Sequence, residues 1–164
     1  MAGSERIRTP QGHVVVDADR ELVRTISLRK GRAADVGSST LGADLRRYFA
    51  GERVDFSGYD VDWSQYTAFE RAVLETTRSI PYGETRTYGE IAAAIGKPGA
   101  ARAVGQALGK NRTCIVVPCH RVVAVNGLGG FTGGLHWKRD LLELEGAPGG
   151  TLSIGRNDRR IKGE

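Results

Sequence analysis

Hydrophobic positions along this chain change their spacing several times, and each change marks an element. Val14, Val15 and Val16, and then residues 22–28, are β-branched and partly alternating, with the charged Asp19-Arg20-Glu21 between them. That pattern predicts a hairpin or meander. Residues 1–9 are polar and are expected to fray. Residues 29–37 read as a polar loop. Ser39 can cap a helix whose apolar stripe is Leu41, Leu45, Tyr48 and Phe49, closed by Gly51. Residues 54–61 predict a further strand with Gly58 as a bulge, so the first third forms a small α+β scaffold.

From there the period becomes helical. Phe69, Ala72, Val73, Thr76 and Ile80 predict one helix over residues 63–80, ended by the turn Pro81-Tyr82-Gly83. Thr87-Tyr88-Gly89-Glu90 matches a capping box and opens a helix through Ile91 and Ile95. After the break at Gly96-Lys97-Pro98-Gly99, residues 100–108 predict a second short helix closed by Gly109. Two short helices around a glycine-bearing turn resemble a helix-turn-helix, a pattern that many helical hairpins share. In the second helix Ala101, Ala103 and Gly105 leave the surface small, so it can approach another surface closely. Arg102 is its only charge, either a probe or a plain surface cation. Trp137, Leu141 and Leu144 form the stripe of a last helix, with Glu145 near its end and Gly146 beyond it. Residues 149–164 read as a polar, flexible tail.

Between these helices lies Ile115-Val116-Val117-Pro118-Cys119-His120-Arg121. Three consecutive aliphatic residues predict a strand buried on both faces, which Pro118 ends. Cys119 then stands where the strand opens into a pocket. A free cysteine at such a place is commonly a small core hydrophobe, and a lone histidine is commonly structural. Together they suggest an activated thiolate. Adjacent strand side chains face opposite ways, so His120 reaches Cys119 only through a bend or a water. Gly127-Leu128-Gly129-Gly130-Phe131-Thr132-Gly133-Gly134 follows; it lacks the phosphate-loop lysine, and its glycines allow a ligand close to the backbone.

Composition narrows the chemistry. The 164 residues suffice for one good core or two small ones. No run of 18 apolar residues and no secretory signal appear, which makes the cytoplasm or nucleoid the default location. Two cysteines are too few for a disulfide framework or a four-ligand zinc site. If the segment from Cys114 to Cys119 is extended, at about 3.3 Å per residue, the two lie beyond the roughly 7 Å disulfide limit. The net charge is +5, and residues 78–140 hold nine basic against three acidic residues, a local +6. A basic half that contains the reactive stretch points to a polyanion, with nucleic acid first.

Arg102-Ala103-Val104-Gly105, Asn111, Pro118-Cys119-His120-Arg121-Val122 and Leu141-Leu142-Glu143-Leu144-Glu145-Gly146 resemble the O6-alkylguanine-DNA alkyltransferase family over about residues 63–146. The resemblance implies an α/β fold: a ribonuclease-H-like domain over 1–62, then a winged helix-turn-helix domain over 63–148. It also implies single-turnover repair of O6-alkylguanine, and of O4-alkylthymine, in double-stranded DNA. No cofactor or metal is implied, nor any membrane partner, and the chain is expected to be a monomer.

Carried across, Cys119 accepts the alkyl group, His120 deprotonates it through a water, and Glu145 orients His120. Asn111 holds the active-site turn. Tyr88 donates a proton or hydrogen bond to the leaving guanine. Arg102, on the helix of Ala101, Ala103 and Gly105, fills the gap of the flipped base, while Val122, Phe131 and Thr132 line the base pocket. Family members often carry Pro after the Asn; here Arg112 follows. The competing readings are a winged-helix regulator with a structural Cys119, and a Cys-His hydrolase. The hydrolase needs an oxyanion hole and leaves the Arg102 helix unexplained.

Overall fold

The computed structural model describes residues 3–148, so the tail expected over 149–164 lies outside the described residues. The chain is a mixed α/β protein with a small main sheet and, among the described residues, five α-helices. The described residues divide into two compact units, 3–65 with 112–116, and 66–111 with 117–148. No helix among the described residues is long and apolar enough to cross a membrane.

In the first unit, β1 (Gly3–Thr9), β2 (Gly12–Asp19) and β3 (Leu22–Arg29) form an antiparallel meander, and β4 (Asp60–Val61) adds to β3 in parallel. The meander is as expected, but residues 3–9 are not frayed. Their alternation of Glu5, Ile7 and Thr9 inward with Arg6 and Arg8 outward is a strand period, and β2 takes up their hydrogen bonds. The strand expected over 54–61 shrinks to its last two residues, and Gly58 lies in a turn. Helix α1 (Thr40–Phe49) is capped by the Ser39 hydroxyl, which accepts the Gly42 N–H. Ile7, Val14, Val16, Val23, Ile26, Leu41, Leu45 and Tyr48 are nearly inaccessible and make the core. Buried Glu5 accepts from the Ser39 hydroxyl and from Arg46, and its carboxylate fills the space where Gly42 would carry a Cβ.

Residues 112–116 do not form the predicted strand. Ile26 N–H donates to the Arg112 carbonyl at 2.8 Å and a parallel bridge joins Ile26 to Thr113; then the chain turns at Ile115, whose φ is +77°. A β-branched residue in the left-handed region ends any extended run. Thr113 to Val117 are nonetheless all buried, and burial is the property that the aliphatic run recorded.

The second unit is helical. The helix expected over 63–80 begins later: Trp63–Gln65 is a short 3-10 turn outside this unit, and α2 (Ala68–Arg78) starts from a reciprocal capping box between Thr67 and Glu70. The capping box at Thr87 and Glu90 opens α3 (Tyr88–Ala94), and α4 (Ala101–Leu108) follows the break at Gly96. Helices α2, α3 and α4 pack on one another. A two-residue parallel pair joins β5 (Arg86–Thr87) to β6 (Val122–Val123), and α5 (Leu135–Glu145) ends at Gly146 in the left-handed conformation.

Candidate active site

Cys119 begins a 3-10 turn, Cys119–Arg121, between Pro118 and β6. The turn is held from within: Cys119 N–H donates to the Val117 carbonyl at 2.8 Å and Arg121 N–H to that of Pro118 at 2.9 Å. Buried Asn111 donates its amide to the same Val117 carbonyl at 3.0 Å, which ties the end of α4 to the start of the turn. Successive side chains on a 3-10 turn fan out by about 120° rather than opposing each other. The strand geometry expected for Cys119 and His120 therefore does not apply. Both cysteines are free thiols, and Cys114 lies with the first unit.

The thiol, 8% exposed, opens onto a cavity of about 540 Å³. Tyr88, the first residue of α3, stands on its wall; α4 contributes Ala101, Arg102 and Gly105, and the glycine-rich loop contributes Phe131 and Thr132. Thr132 donates its hydroxyl to the Gly109 carbonyl at 3.0 Å, joining loop to helix end. Seven of the expected site residues thus share one cavity. Ala103 and Val122 are not on it: Ala103 is half-buried on α4, and Val122 is fully buried.

Behind the turn lies a buried charged group. His120 Nε2 is 2.8 Å from Glu145 Oε2, and both side chains are almost inaccessible. Arg121 clasps the same carboxylate, Nε to Oε1 and Nη2 to Oε2, each at 2.9 Å. Its Nη1 donates to the Ile80 carbonyl at 2.7 Å, and the Gly83 N–H reaches Oε1 at 3.3 Å. Burial alone would raise the Glu145 carboxyl; hydrogen bonds and charge from His120 and Arg121 outweigh it and hold the group far below the usual carboxylate range. Burial pushes His120 down, partly offset by Glu145, with Arg121 and Lys138 adding to the fall. An ionised carboxylate can only accept, so the histidine carries its proton on Nε2. Nδ1, buried and without a hydrogen-bond partner among the described residues, is left as the acceptor.

Besides Arg121, two participants have no role in the sequence expectations. Lys138 is fully buried in α5 and donates from Nζ to the Val122 carbonyl at 2.7 Å and to the Gly130 carbonyl at 2.9 Å. Burial lowers it to about 8, a fall that the Cys119 sulfur opposes when ionised. Gly130 is the second: its N–H donates to Tyr88 Oη at 3.2 Å, while Lys138 Nζ lies 5.7 Å from the Tyr88 ring centre. Burial raises the Tyr88 hydroxyl, the Gly130 N–H counters this and the Cys119 charge adds to it. With its oxygen accepting, the raised Tyr88 hydroxyl retains a proton that it can donate. A signal for Lys138 did exist: Lys138, Leu141, Leu142 and Glu145 follow the i, i+3, i+4, i+7 spacing of one buried helical face.

The arrangement therefore brings a thiol and a tyrosine hydroxyl onto one cavity, with a buried histidine–carboxylate pair next to the thiol in the chain. The family described as 6-O-methylguanine DNA methyltransferase, DNA binding domain, matches residues 68–147. The methylated-DNA–protein-cysteine methyltransferase of Mycobacterium tuberculosis is 54% identical over 103 residues, 62% of this chain and 61% of that one. The match therefore spans less than two thirds of that relative's length. The protein of that name from Methanosarcina acetivorans is 40% identical over 151 residues, 85% of this chain and 95% of the relative. Among solved structures, Mycobacterium tuberculosis OGT in complex with DNA superposes with a TM-score of 0.73 at 40% identity, covering 92% of this chain and 98% of that one. The matched residues contain the thiol turn, the α3–α4 pair and the Glu145 helix end, and the chain belongs to the methylated-DNA–protein-cysteine methyltransferase family.

Proposed function

We propose that this protein repairs DNA by transferring an alkyl group from O6 of guanine, and from O4 of thymine, to Cys119, once per molecule. The observation that carries this reading is the shared cavity: a buried thiol, a hydroxyl donor at Tyr88 and a cation at Arg102 surround one space, and the His120–Glu145 pair lies beside it. A Cys119 serving only as a packed core side chain would not open onto such a space, so the regulator reading gains no support.

The chemistry follows from the groups. His120 takes the thiol proton on Nδ1, directly or through a water, and Glu145 stabilises the imidazolium. The sulfur displaces O6 in line; the S–C bond forms as the C–O bond breaks. Guanine would leave as an anion, and Tyr88 supplies a proton that His120 or solvent returns. In sum one proton leaves the thiol and one reaches the base. The thioether has no easy leaving group, so the protein is consumed.

A base within the duplex cannot reach Cys119, so it must be flipped out at a cost of a few kcal/mol. In the proposed pose the α3–α4 pair acts as the helix-turn-helix of a winged domain, with the first unit as a ribonuclease-H-like scaffold. The small side chains of Ala101, Ala103 and Gly105 let α4 approach the duplex, and Arg102 enters the vacated stack. Phe131, Thr132 and the backbone at Val122 hold the flipped base, and Asn111 keeps the turn in place.

Intact-mass measurement after incubation with O6-methylguanine duplex tests the reading. The wild type and Cys114→Ser gain one methyl group, located by peptide mapping on Cys119; Cys119→Ser gains none yet binds DNA. A methyl group on Cys114, or none at all, refutes it.

A further inference from the structure

We propose that Arg121 is a positioning residue of this site: its guanidinium fork fixes the Glu145 carboxylate in the pose that sets the His120 tautomer, and shares its charge so that Nδ1 stays free for the thiol proton. The inference rests on the reading of Cys119 as the nucleophile.

The geometry leaves the carboxylate no freedom. Oε1 accepts from Arg121 Nε and Gly83 N–H, and Oε2 accepts from Arg121 Nη2 and His120 Nε2. The fork cannot swing, because Nη1 is anchored on the Ile80 carbonyl and the Tyr82 ring lies 5.8 Å from Cζ. A planar bidentate donor is the side chain suited to that task, and Lys, a point charge, is not equivalent.

The second half of the argument is a sign. A carboxylate beside a histidine raises its proton affinity, and a histidine already protonated cannot serve as a base. The charges facing His120 are Glu145 and Lys138 from α5 and Arg121 from its own turn; Cys119 precedes it in the chain and acts on Lys138 when ionised. Helix α2, packed on the same turn, carries Glu70, Arg71, Glu75 and Arg78, none of them buried. Arg121 is thus the cation in direct contact with the carboxylate that raises the proton affinity of His120. Removing it leaves Glu145 to act on the imidazole alone.

The experiment compares the full-length wild type, Arg121→Gln and Arg121→Lys in single-turnover reactions from about pH 5 to about pH 9. Two reactions are followed: methyl transfer from O6-methylguanine duplex, and alkylation of Cys119 by iodoacetamide. In Arg121→Gln the acid limb of both profiles moves up by about one pH unit, roughly tenfold in rate on the limb, and the rates converge with wild type under alkaline conditions. Arg121→Lys shows a smaller shift in the same direction and a lower plateau, because the charge remains and the fork is lost.

A purely structural Arg121 would lower the plateau and the melting temperature and leave the limb where it is; that outcome overturns the proposal. Should Arg121→Gln fail to fold, an unmoved limb in Arg121→Lys overturns it equally. If no methyl group leaves the DNA but the iodoacetamide limb shifts, the Arg121 assignment stands and the proposed substrate falls.

Discussion

Lys138 shows how far a single buried charge can be read. Below about pH 8 the fold holds its ammonium charged, and between about 8 and its ordinary 10.5 the folded chain releases a proton that the unfolded chain still binds. The unfolded state carries more protons in that window, so the lysine's contribution to stability rises with pH across it. Lys138→Met strands the Val122 and Gly130 carbonyls, at about 1–3 kcal/mol each. The expected outcome is a variant less stable than wild type at pH 7, with a stability gap that widens towards pH 10 in urea titrations. A gap constant with pH would mean that the amine titrates normally. Lys138 and Arg121 escape composition-based reasoning for the same reason: a cation is counted as surface until a partner inside the fold is seen, and those partners lie 8 and 16 residues from Lys138 and 24 and 41 from Arg121. His120 and Glu145 were readable because the family resemblance pairs them, while their 2.8 Å contact is a fact of folding.

At the scale of elements, local hydrogen-bond chemistry was the most legible. The Thr87–Glu90 box, the Ser39 cap and Gly146 each satisfy backbone groups within a few residues, so their sequence is their structure. The run at Ile115 to Val117 was not legible, since an aliphatic triplet buried in a turn looks like one buried in a strand. What decides is a bridge from Thr113 to Ile26, some 87 residues earlier. Helix α4 brings its own test. Arg102 is exposed at the cavity rim and is one cation among many, so losing it removes at most about one phosphate contact from the salt dependence. Arg102→Ala should slow repair of duplex DNA by at least tenfold, about 1.4 kcal/mol, and leave methyl transfer from the free base within about twofold. Equal slowing on both substrates excludes a role in base flipping.

For the molecule as a whole, burial revises the charge argument. Of the nine basic residues between 78 and 140, Arg121 and Lys138 are buried, which leaves seven to meet phosphates. At about 0.9 counterion per neutralised phosphate, this segment can contribute a slope of at most about 6 to log K against log salt. Duplex-binding titrations at several salt concentrations check that ceiling, and a steeper slope would require cations outside residues 78–140 to take part. The chain's course between the units has a different kind of consequence. Residues 112–116 belong to the first unit, yet Asn111 and Val117, which brace the thiol turn, belong to the second. A recombination that moved codons 66–148 into another gene would therefore carry five residues whose neighbours stayed behind, inserted just ahead of the turn that holds Cys119. A graft of that segment is therefore expected to need the strand that carries Ile26 as well.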